Sequence, residues 1–262
     1  MSTGDKGRQD PGDKEYAATL AKGLSVLGSF GHERPSMSLS EIAAATDLSR
    51  ASARRLLRTL VSLGYVSHDG KIFALAPRIL ELGFSYLSTQ SWIDRAEPLM
   101  KELSHAFHES CSAAILQGTE IVYVARTAAP HRIMSATIAV GARLPAFHTS
   151  LGRAQLGFLD DDRLADLLKS MTLKPYTAST IVDRAALIDR IGKDRAQGFS
   201  IVDEELEKGL RSIAVPILNR AGSCVAAINL SAHSNRTTRN EMREKFLPRL
   251  RETAETISRS LA

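Results

Sequence analysis

The sequence has little cysteine: Cys111 and Cys224 are its only two thiols among 262 residues. Two cysteines are too few for a disulfide-stapled scaffold, and they form neither a CxxC pair nor a Cys/His metal pattern. Both lie in apolar stretches, which is typical of core thiols in a reducing compartment. We therefore expect a cytoplasmic protein with no metal site and no cofactor.

Long apolar runs and common enzymatic signatures are also missing. No apolar stretch is long enough to cross a membrane, and the polar amino terminus, MSTGDKGRQDPGDKEY, predicts no signal peptide. The patterns GxGxxG, P-loop, HExxH and GxSxG are absent, which removes the commonest nucleotide-binding and hydrolytic sites. The composition, 44% hydrophobic and 24% charged, is that of a globular chain with one or two domains.

Positive charge is concentrated in one short segment. The formal net charge is +5, and residues 1–90 and 91–262 share it as +2 and +3. Between Leu48 and Arg78, however, six basic residues accompany a single acid, Asp69. Such a local excess is typical of a phosphate-binding surface, although a solvated helix face is the alternative. The pattern around the arginines decides between the two.

That segment follows two predicted helices and contains a third. Residues 16–30 have apolar side chains at helical spacing and end before Gly31. Ser38 and Glu41 form a capping-box pattern that begins a short second helix. Ser49 is the predicted N-cap of the third helix, RASARRLLRTLVSLG. One face of this helix is apolar, with Ala53, Leu56, Leu57 and Leu60, and another is basic, with Arg50, Arg54 and Arg58.

Two short helices with a tight break, the second basic on its exposed side, predict a helix-turn-helix whose second helix enters the major groove. The strands 65–67 and 71–75 flank the turn His68-Asp69-Gly70, and this hairpin completes a winged helix. The arginines are expected to contact base edges or phosphates, and both roles stay open. The predicted DNA-binding residues are Ser49, Arg50, Ala51, Ser52, Arg54, Arg55, Arg58 and, on the wing, Lys71.

Residues 77–90 predict a linker helix with apolar residues on more than one face. Such a helix must bury both of its sides, either against its own chain or against a second copy in a homodimer. The sequence supports these two interpretations almost equally. The predicted organisation is a disordered tail (1–14), a winged helix-turn-helix DNA-binding domain (15–76), the linker helix (77–90) and a second domain (91–262).

The second domain mixes helices and strands without a βαβ rhythm, which predicts an α+β fold with an antiparallel sheet and flanking helices. Helices are predicted at 92–107, 150–159, 162–170, 184–197 and from 238 onward. Strands are predicted at 111–117, 120–126, 132–138, 199–203, 211–218 and 224–231.

Four strings in this order resemble the IclR family of bacterial transcription regulators: SLSEIAAATDLSRASARRLLRTLVSLGYV, APRILELGFSYL, VGARLPAFHTSLGRA and GFSIVDEELEKGLRSIAVPIL. The resemblance extends from about Tyr16 to the end. Within the family, PHRIMSATIAVGARLPAFHTSLGRAQL is similar to the β-ketoadipate-pathway subgroup (the PcaR, PcaU and PobR type). The resemblance implies a GAF-like carboxy-terminal domain that binds a small effector, and winged helices paired in a homodimer, often assembled into a homotetramer.

The resemblance also implies where the effector binds: the HTSLG segment, the strand RIMSATI, and residues 203–212 and 229–231. The candidate effector-binding residues are Arg132, Met134, Arg143, His148, Thr149, Ser150, Asp203, Ser212, Asn229 and Ser231. Chemistry agrees, since a helix beginning at Thr149 offers amides and hydroxyls to a carboxylate. Arg132 or Arg143 would add a charged fork, and Met134 would accept a ring.

Structural roles stay open for several of these residues: Ser150 as a helix cap, Asn229 at a strand edge, and Arg143. His148 and Asp203 are too few for a metal site.

The favoured function is therefore a transcriptional regulator that binds double-stranded operator DNA under the control of a small carboxylic acid. Aromatic catabolism supplies the expected effectors: protocatechuate, 4-hydroxybenzoate or β-ketoadipate. The alternatives are an enzyme of small acids with an incidental winged helix, an architectural DNA-binding protein without a ligand, and an IclR-type regulator of an unrelated pathway. The sequence offers no nucleophile–base pair for the enzyme, and we do not expect one.

Overall fold

The computed structural model describes residues 15–129 and 138–261. The chain divides into two compact units that meet between Tyr86 and Leu87, inside the predicted linker helix. The predicted tail, 1–14, lies outside the described residues, as does the predicted strand at 132–138 except for Ile138. Within the described part of the chain, no helix has the length and apolarity needed to cross a bilayer.

From residue 15 onward, the amino-terminal unit contains three helices before the linker and a small antiparallel sheet. The helices are α1 (Ala18–Gly28), α2 (Leu39–Ala45) and α3 (Arg50–Ser62), and the strands are β1 (Ser36–Ser38), β2 (Val66–His68) and β3 (Ile72–Leu75). The sheet order is β1-β3-β2. The predicted helix-turn-helix and wing are confirmed, and β1 is an addition that pairs with the outer side of the hairpin.

Side-chain caps fix the ends of the second and third helices. Ser38 and Glu41 form the predicted capping box, in which the Ser38 amide donates to Glu41 Oε2 at 2.7 Å. Ser49 Oγ accepts a hydrogen bond from the Ser52 amide at 3.2 Å. These caps satisfy amides that the helices leave unpaired. The apolar face of α3 packs onto α1 and α2, and Val26, Ile42 and Leu57 are completely buried in this core.

The next helix, α4 (Ile79–Ser88), buries none of its residues within the described chain. Leu80 and Phe84 are each 71% exposed. Leu87, near the end of the helix, is partly buried against the core of the carboxy-terminal unit, so packing within the chain covers part of the apolar surface and the homodimer stays a prediction.

In the described part of the carboxy-terminal unit, six strands form an antiparallel sheet with helices on both faces. The unit begins with α5 (Ser91–Phe107), and its strands are β4 (Ser110–Gln117), β5 (Glu120–Thr127), β6 (Arg143–Pro145), β7 (Ser200–Asp203), β8 (Leu210–Leu218) and β9 (Cys224–His233). The strand order is β6-β5-β4-β9-β8-β7. Strand β6 was not predicted.

The remaining helices are α6 (Ser150–Leu156), α7 (Asp161–Ser170), α8 (Arg184–Gln197), α9 (Arg239–Glu241) and α10 (Leu247–Arg259), with a π turn at Met242–Phe246. Helix α6 ends before the predicted residue 159, because the chain turns at Gly157 to reach Asp160, the N-cap of α7. Helices α5 and α10 cover one face of the sheet, and α6, α7 and α8 contribute to the core on the other face.

Candidate nucleic-acid interface and ligand cavity

The exposed face of α3 is a continuous basic surface. Arg50, Ala51, Arg54, Arg55 and Arg58 are exposed, and together with Leu39 and Thr59 they line one shallow concavity. None of these arginines forms an ion pair with a carboxylate in the described part of the chain. Because four guanidinium groups without acidic partners repel one another, this surface favours an anionic partner such as the DNA backbone.

The turn of the wing is stabilised by the Asp69 carboxylate. The Asp69 carboxylate accepts hydrogen bonds from the amides of Lys71 and Ile72 at 2.9 and 2.8 Å, and these bonds lower the pKa of Asp69. Gly70 has a φ of +105°, which a side chain would strain. Asp69, the one acid of the basic segment, therefore stabilises the turn through backbone amides. The Lys71 side chain is exposed and does not pair with it.

The carboxy-terminal unit encloses a cavity of about 250 Å³ between the sheet and the segment that leads into α6. Such a volume suits a ligand smaller than a typical drug molecule. The polar residues of its lining are Ser112, Tyr123, Arg126, His148, Thr149, Ser150, Glu207, Ser212, Asn229 and Ser231. Its apolar residues are Ile138, Leu144, Val202, Leu206 and Leu210.

The sheet supplies the polar floor of this cavity through strand register. Ser112 lies opposite Arg126 on β5 and opposite Asn229 on β9. Ser231 lies opposite Ser212 in the next row. Asn229 is held in place, since its Oδ1 accepts from the Ser112 amide at 3.2 Å and its Nδ2 donates to Ser231 Oγ at 3.1 Å.

Arg126 is the basic residue of the described cavity lining, which also contains one carboxylate, Glu207. Its guanidinium is half-buried, and this burial lowers the pKa of Arg126. Among the described residues no carboxylate forms an ion pair with it. A partly desolvated guanidinium without an acidic partner favours binding of an anion.

The segment before α6 supplies the opposite wall. Residues 146–148 form a single 3₁₀ turn, and Thr149 caps α6 by accepting from the Gly152 amide at 3.1 Å. The helix cap is thus Thr149, and Ser150 is available for another role. Both ring nitrogens of His148 and the Ser150 hydroxyl are buried without a hydrogen-bond partner among the described residues.

Six of the ten predicted effector-binding residues line the cavity: His148, Thr149, Ser150, Ser212, Asn229 and Ser231. Arg132 and Met134 lie outside the described residues.

The other two predicted residues point elsewhere. Arg143 lies on the surface, where its Nε donates to Glu120 at 2.8 Å and its Nη1 to Gln117 at 2.7 Å. Asp203 is held between Arg211 and Arg239, at 2.6 and 2.7 Å, and these contacts lower its pKa against the opposing effect of burial. Arg143 is next to the lining residue Leu144, and Asp203 is next to the lining residue Val202. Because consecutive strand residues face opposite sides of a sheet, Arg143 and Asp203 face away from the cavity.

Three polar lining residues on β4 and β5 were not predicted from the sequence: Ser112, Tyr123 and Arg126. Arg126 would face away from the cavity if β5 alternated strictly. A bulge changes this, because Ala125 lies opposite Ala113 while Tyr123 lies opposite Ala114, so Val124 is an extra residue. Tyr123 and Arg126 therefore face the same side. No group of three or more metal-ligating side chains occurs among the described residues.

Two family models match the chain over most of its length. The IclR helix-turn-helix domain matches residues 19–70, which include α3, and the bacterial transcriptional regulator IclR carboxy-terminal domain matches residues 84–259, which include the cavity. The chain belongs to the IclR family. It is accordingly a transcriptional regulator of the kind that small-molecule effectors control, with an α+β fold that carries an amino-terminal helix-turn-helix.

Known relatives of this IclR-family chain agree with the assignment. It is 41% identical over 237 residues to the Pca regulon regulatory protein of Pseudomonas putida, covering 90% of this chain and 81% of that protein. A transcriptional regulator from Rhodococcus sp. RHA1 has a similar crystal structure, with a TM-score of 0.81, 45% identity, and coverage of 94% of this chain and 98% of that one.

A third relative was crystallised with a ligand. It is a double mutant of the PobR inducer-binding domain from Acinetobacter, in complex with 3-hydroxybenzoic acid. Its TM-score is 0.60 at 30% identity, and the match covers 63% of this chain and 97% of that domain.

Proposed function

We propose that this regulator binds operator DNA through α3 and the wing, and that an aromatic carboxylate in the cavity controls that binding. The observation that carries the effector class is Arg126, a half-buried guanidinium in a lining that is otherwise largely apolar or uncharged. A carboxylate matches a guanidinium in charge and geometry, and the leucine, isoleucine and valine side chains suit a ring.

The relatives support this effector class. The inducer-binding domain holds 3-hydroxybenzoic acid, and the Pca regulon regulatory protein shares 41% of its aligned residues with this chain. Protocatechuate and 4-hydroxybenzoate are therefore the first candidates, and β-ketoadipate tests whether a ring is needed.

We further propose that Arg50, Arg54, Arg55 and Arg58, together with Ser49, Ala51 and Ser52, form the face that enters the major groove, with Lys71 on a phosphate. Residues at the start of a recognition helix are those that reach base edges. Ala51 and Ser52 have short side chains, so the backbone of α3 can come close to the bases.

The proposed active form is a homodimer, with a tetramer as its further assembly. Leu80 and Phe84 on α4 expose apolar surface that a second copy would cover. A two-fold dimer also places two copies of α3 on a palindrome, with half-sites about 34 Å apart. Charged substitutions at Leu80 and Phe84 are expected to give monomers in light scattering.

We propose no catalytic activity and a cytoplasmic location. Burial raises the pKa of Cys224 to about 12 and that of Cys111 further, so neither thiol is a ready nucleophile.

A thermal-shift panel of the full chain with protocatechuate, 4-hydroxybenzoate and β-ketoadipate tests the effector class, because a ligand that binds the folded state raises the melting temperature. Aromatic acids should stabilise the chain and change its operator affinity in fluorescence anisotropy. Stabilisation by neither aromatic acid would overturn the effector class, and an unchanged operator affinity would overturn the control mechanism.

A further inference from the structure

His148 is an unsatisfied polar group in the wall of the cavity. Its side chain is 1% exposed, and neither Nδ1 nor Nε2 has a partner among the described residues. Buried polar groups are nearly always hydrogen-bonded, and one left alone costs about 1–3 kcal/mol. A ligand in the cavity is positioned to supply the missing bond.

The surroundings of His148 favour its neutral form. Burial lowers the pKa of His148, the nearby Arg153 guanidinium lowers it further, and the Glu205 carboxylate opposes them. Tyr176 contacts the imidazole edge-on, with the ring centroids 5.5 Å apart. A neutral imidazole has one N–H donor and one nitrogen acceptor, in either tautomer.

A hydroxyl group complements this pair, because it both donates and accepts hydrogen bonds. A carboxylate complements only half of this pair, because it accepts from the imidazole N–H but has no proton to donate to the other ring nitrogen. Ser150 strengthens the case: its hydroxyl lines the same wall and is also buried without a partner among the described residues.

We infer that His148 determines effector specificity by hydrogen-bonding a ring hydroxyl, while Arg126 on the sheet side takes the carboxylate. The inference rests on the proposed function and narrows it to hydroxy-substituted aromatic acids. Unsubstituted benzoate leaves both ring nitrogens of His148 unsatisfied, and the second carboxylate of a dicarboxylate such as terephthalate offers His148 an acceptor but no donor.

Isothermal titration calorimetry of the full chain tests this assignment. The ligands are benzoate, terephthalate, 3-hydroxybenzoate and 4-hydroxybenzoate. The hydroxybenzoate that binds the wild type more tightly serves as the probe. The wild type should bind the probe at least about tenfold more tightly than benzoate. In His148→Leu this preference should fall to about twofold or less, and in His148→Gln, whose amide keeps a donor and an acceptor, part of it should return.

His105→Leu is the matched control, because His105 is an exposed histidine on α5 outside the cavity lining. It should keep the wild-type preference. Melting curves verify that each variant is folded, and if His148→Leu fails to fold, His148→Gln against wild type gives the comparison.

The outcomes separate the two proposals. An unchanged preference in His148→Leu, or terephthalate binding as tightly as the probe, overturns the role of His148. Equal binding of benzoate and the probe by the wild type overturns that role and leaves the aromatic-carboxylate proposal intact. Binding of no aromatic acid overturns both.

Discussion

Arg153 and Glu205 form a buried, two-bond ion pair. Arg153 Nη1 donates to Glu205 Oε1 at 2.7 Å and Nη2 to Oε2 at 2.5 Å, with side chains 0% and 8% exposed. Arg153 Nε also donates to the Phe147 carbonyl at 2.7 Å. The pair thus joins α6 to the loop after β7, and that loop contributes Leu206 to the cavity.

Replacing Arg153 with Met should destabilise the carboxy-terminal unit by about 3–5 kcal/mol, because it leaves the Glu205 carboxylate buried and unpaired. Urea unfolding followed by Trp92 fluorescence measures this, since Trp92 is the only tryptophan and is buried in that unit.

The matched control is Lys193→Met, which breaks the exposed Lys193–Asp189 pair on α8. Its cost should be about 1 kcal/mol or less. The double variant Arg153→Met with Glu205→Leu should recover part of the lost stability, because both buried charges are removed. Similar losses for Arg153→Met and Lys193→Met would contradict a stabilising role for the buried pair.

Arg54→Ala combined with Arg55→Ala should abolish the preference for operator over random DNA, because each arginine that reads a base contributes about 1–3 kcal/mol. Anisotropy with an operator selected from a random duplex library measures the preference. Lys71→Ala should instead weaken all DNA alike and reduce the salt dependence by about one phosphate contact.

Arg220→Ala, in the exposed turn between β8 and β9, should change neither quantity. If the double variant retained the operator preference, α3 would not be the recognition helix.

Arg126→Gln should weaken binding of a hydroxybenzoate by about 10- to 100-fold, since a hydrogen bond to a charged group is worth about 1.5–3 kcal/mol. Arg143→Gln should have little effect, because Arg143 pairs with Glu120 at the surface, with both side chains 43% exposed. Calorimetry with the same ligand compares the two variants. A loss in Arg143→Gln alone would reverse the assignment of the charged contact.

The amino-terminal unit was predictable because its signals are local. Ser38 and Ser49 cap the helices that follow them within three residues, and the apolar face of α3 repeats at helical spacing. Such signals need no knowledge of distant contacts, and for this reason both the helix-turn-helix and its basic face could be read from the sequence.

The cavity depends on long-range register, which the sequence does not display. Arg126 on β5 and Asn229 on β9 share one row of the sheet because both lie opposite Ser112 on β4. Strands β4 and β9 are more than a hundred residues apart in the sequence. A single bulge at Val124 decides that Arg126 faces inward. Arg143 is nearer to His148 in the chain and was the more obvious candidate, yet alternation along β6 turns it outward.

Gly152 is the tightest point between α6 and the 3₁₀ turn before it. A Cβ added there would overlap the backbone carbonyl and Cα of Ala146, which have no side-chain freedom to move away. Gly152→Ala should therefore cost about 1–3 kcal/mol in urea unfolding. It should also weaken hydroxybenzoate binding, because the displaced turn carries His148.

Gly192→Ala is the control for that substitution, since Gly192 lies inside α8 with no atom within 4 Å of an added Cβ. Alanine there should stabilise the chain by up to about 1 kcal/mol through helix propensity alone. Opposite signs for the two substitutions would show that close packing, and not glycine flexibility, makes residue 152 a glycine. A gain in stability at both positions would contradict the close approach of α6 to Ala146.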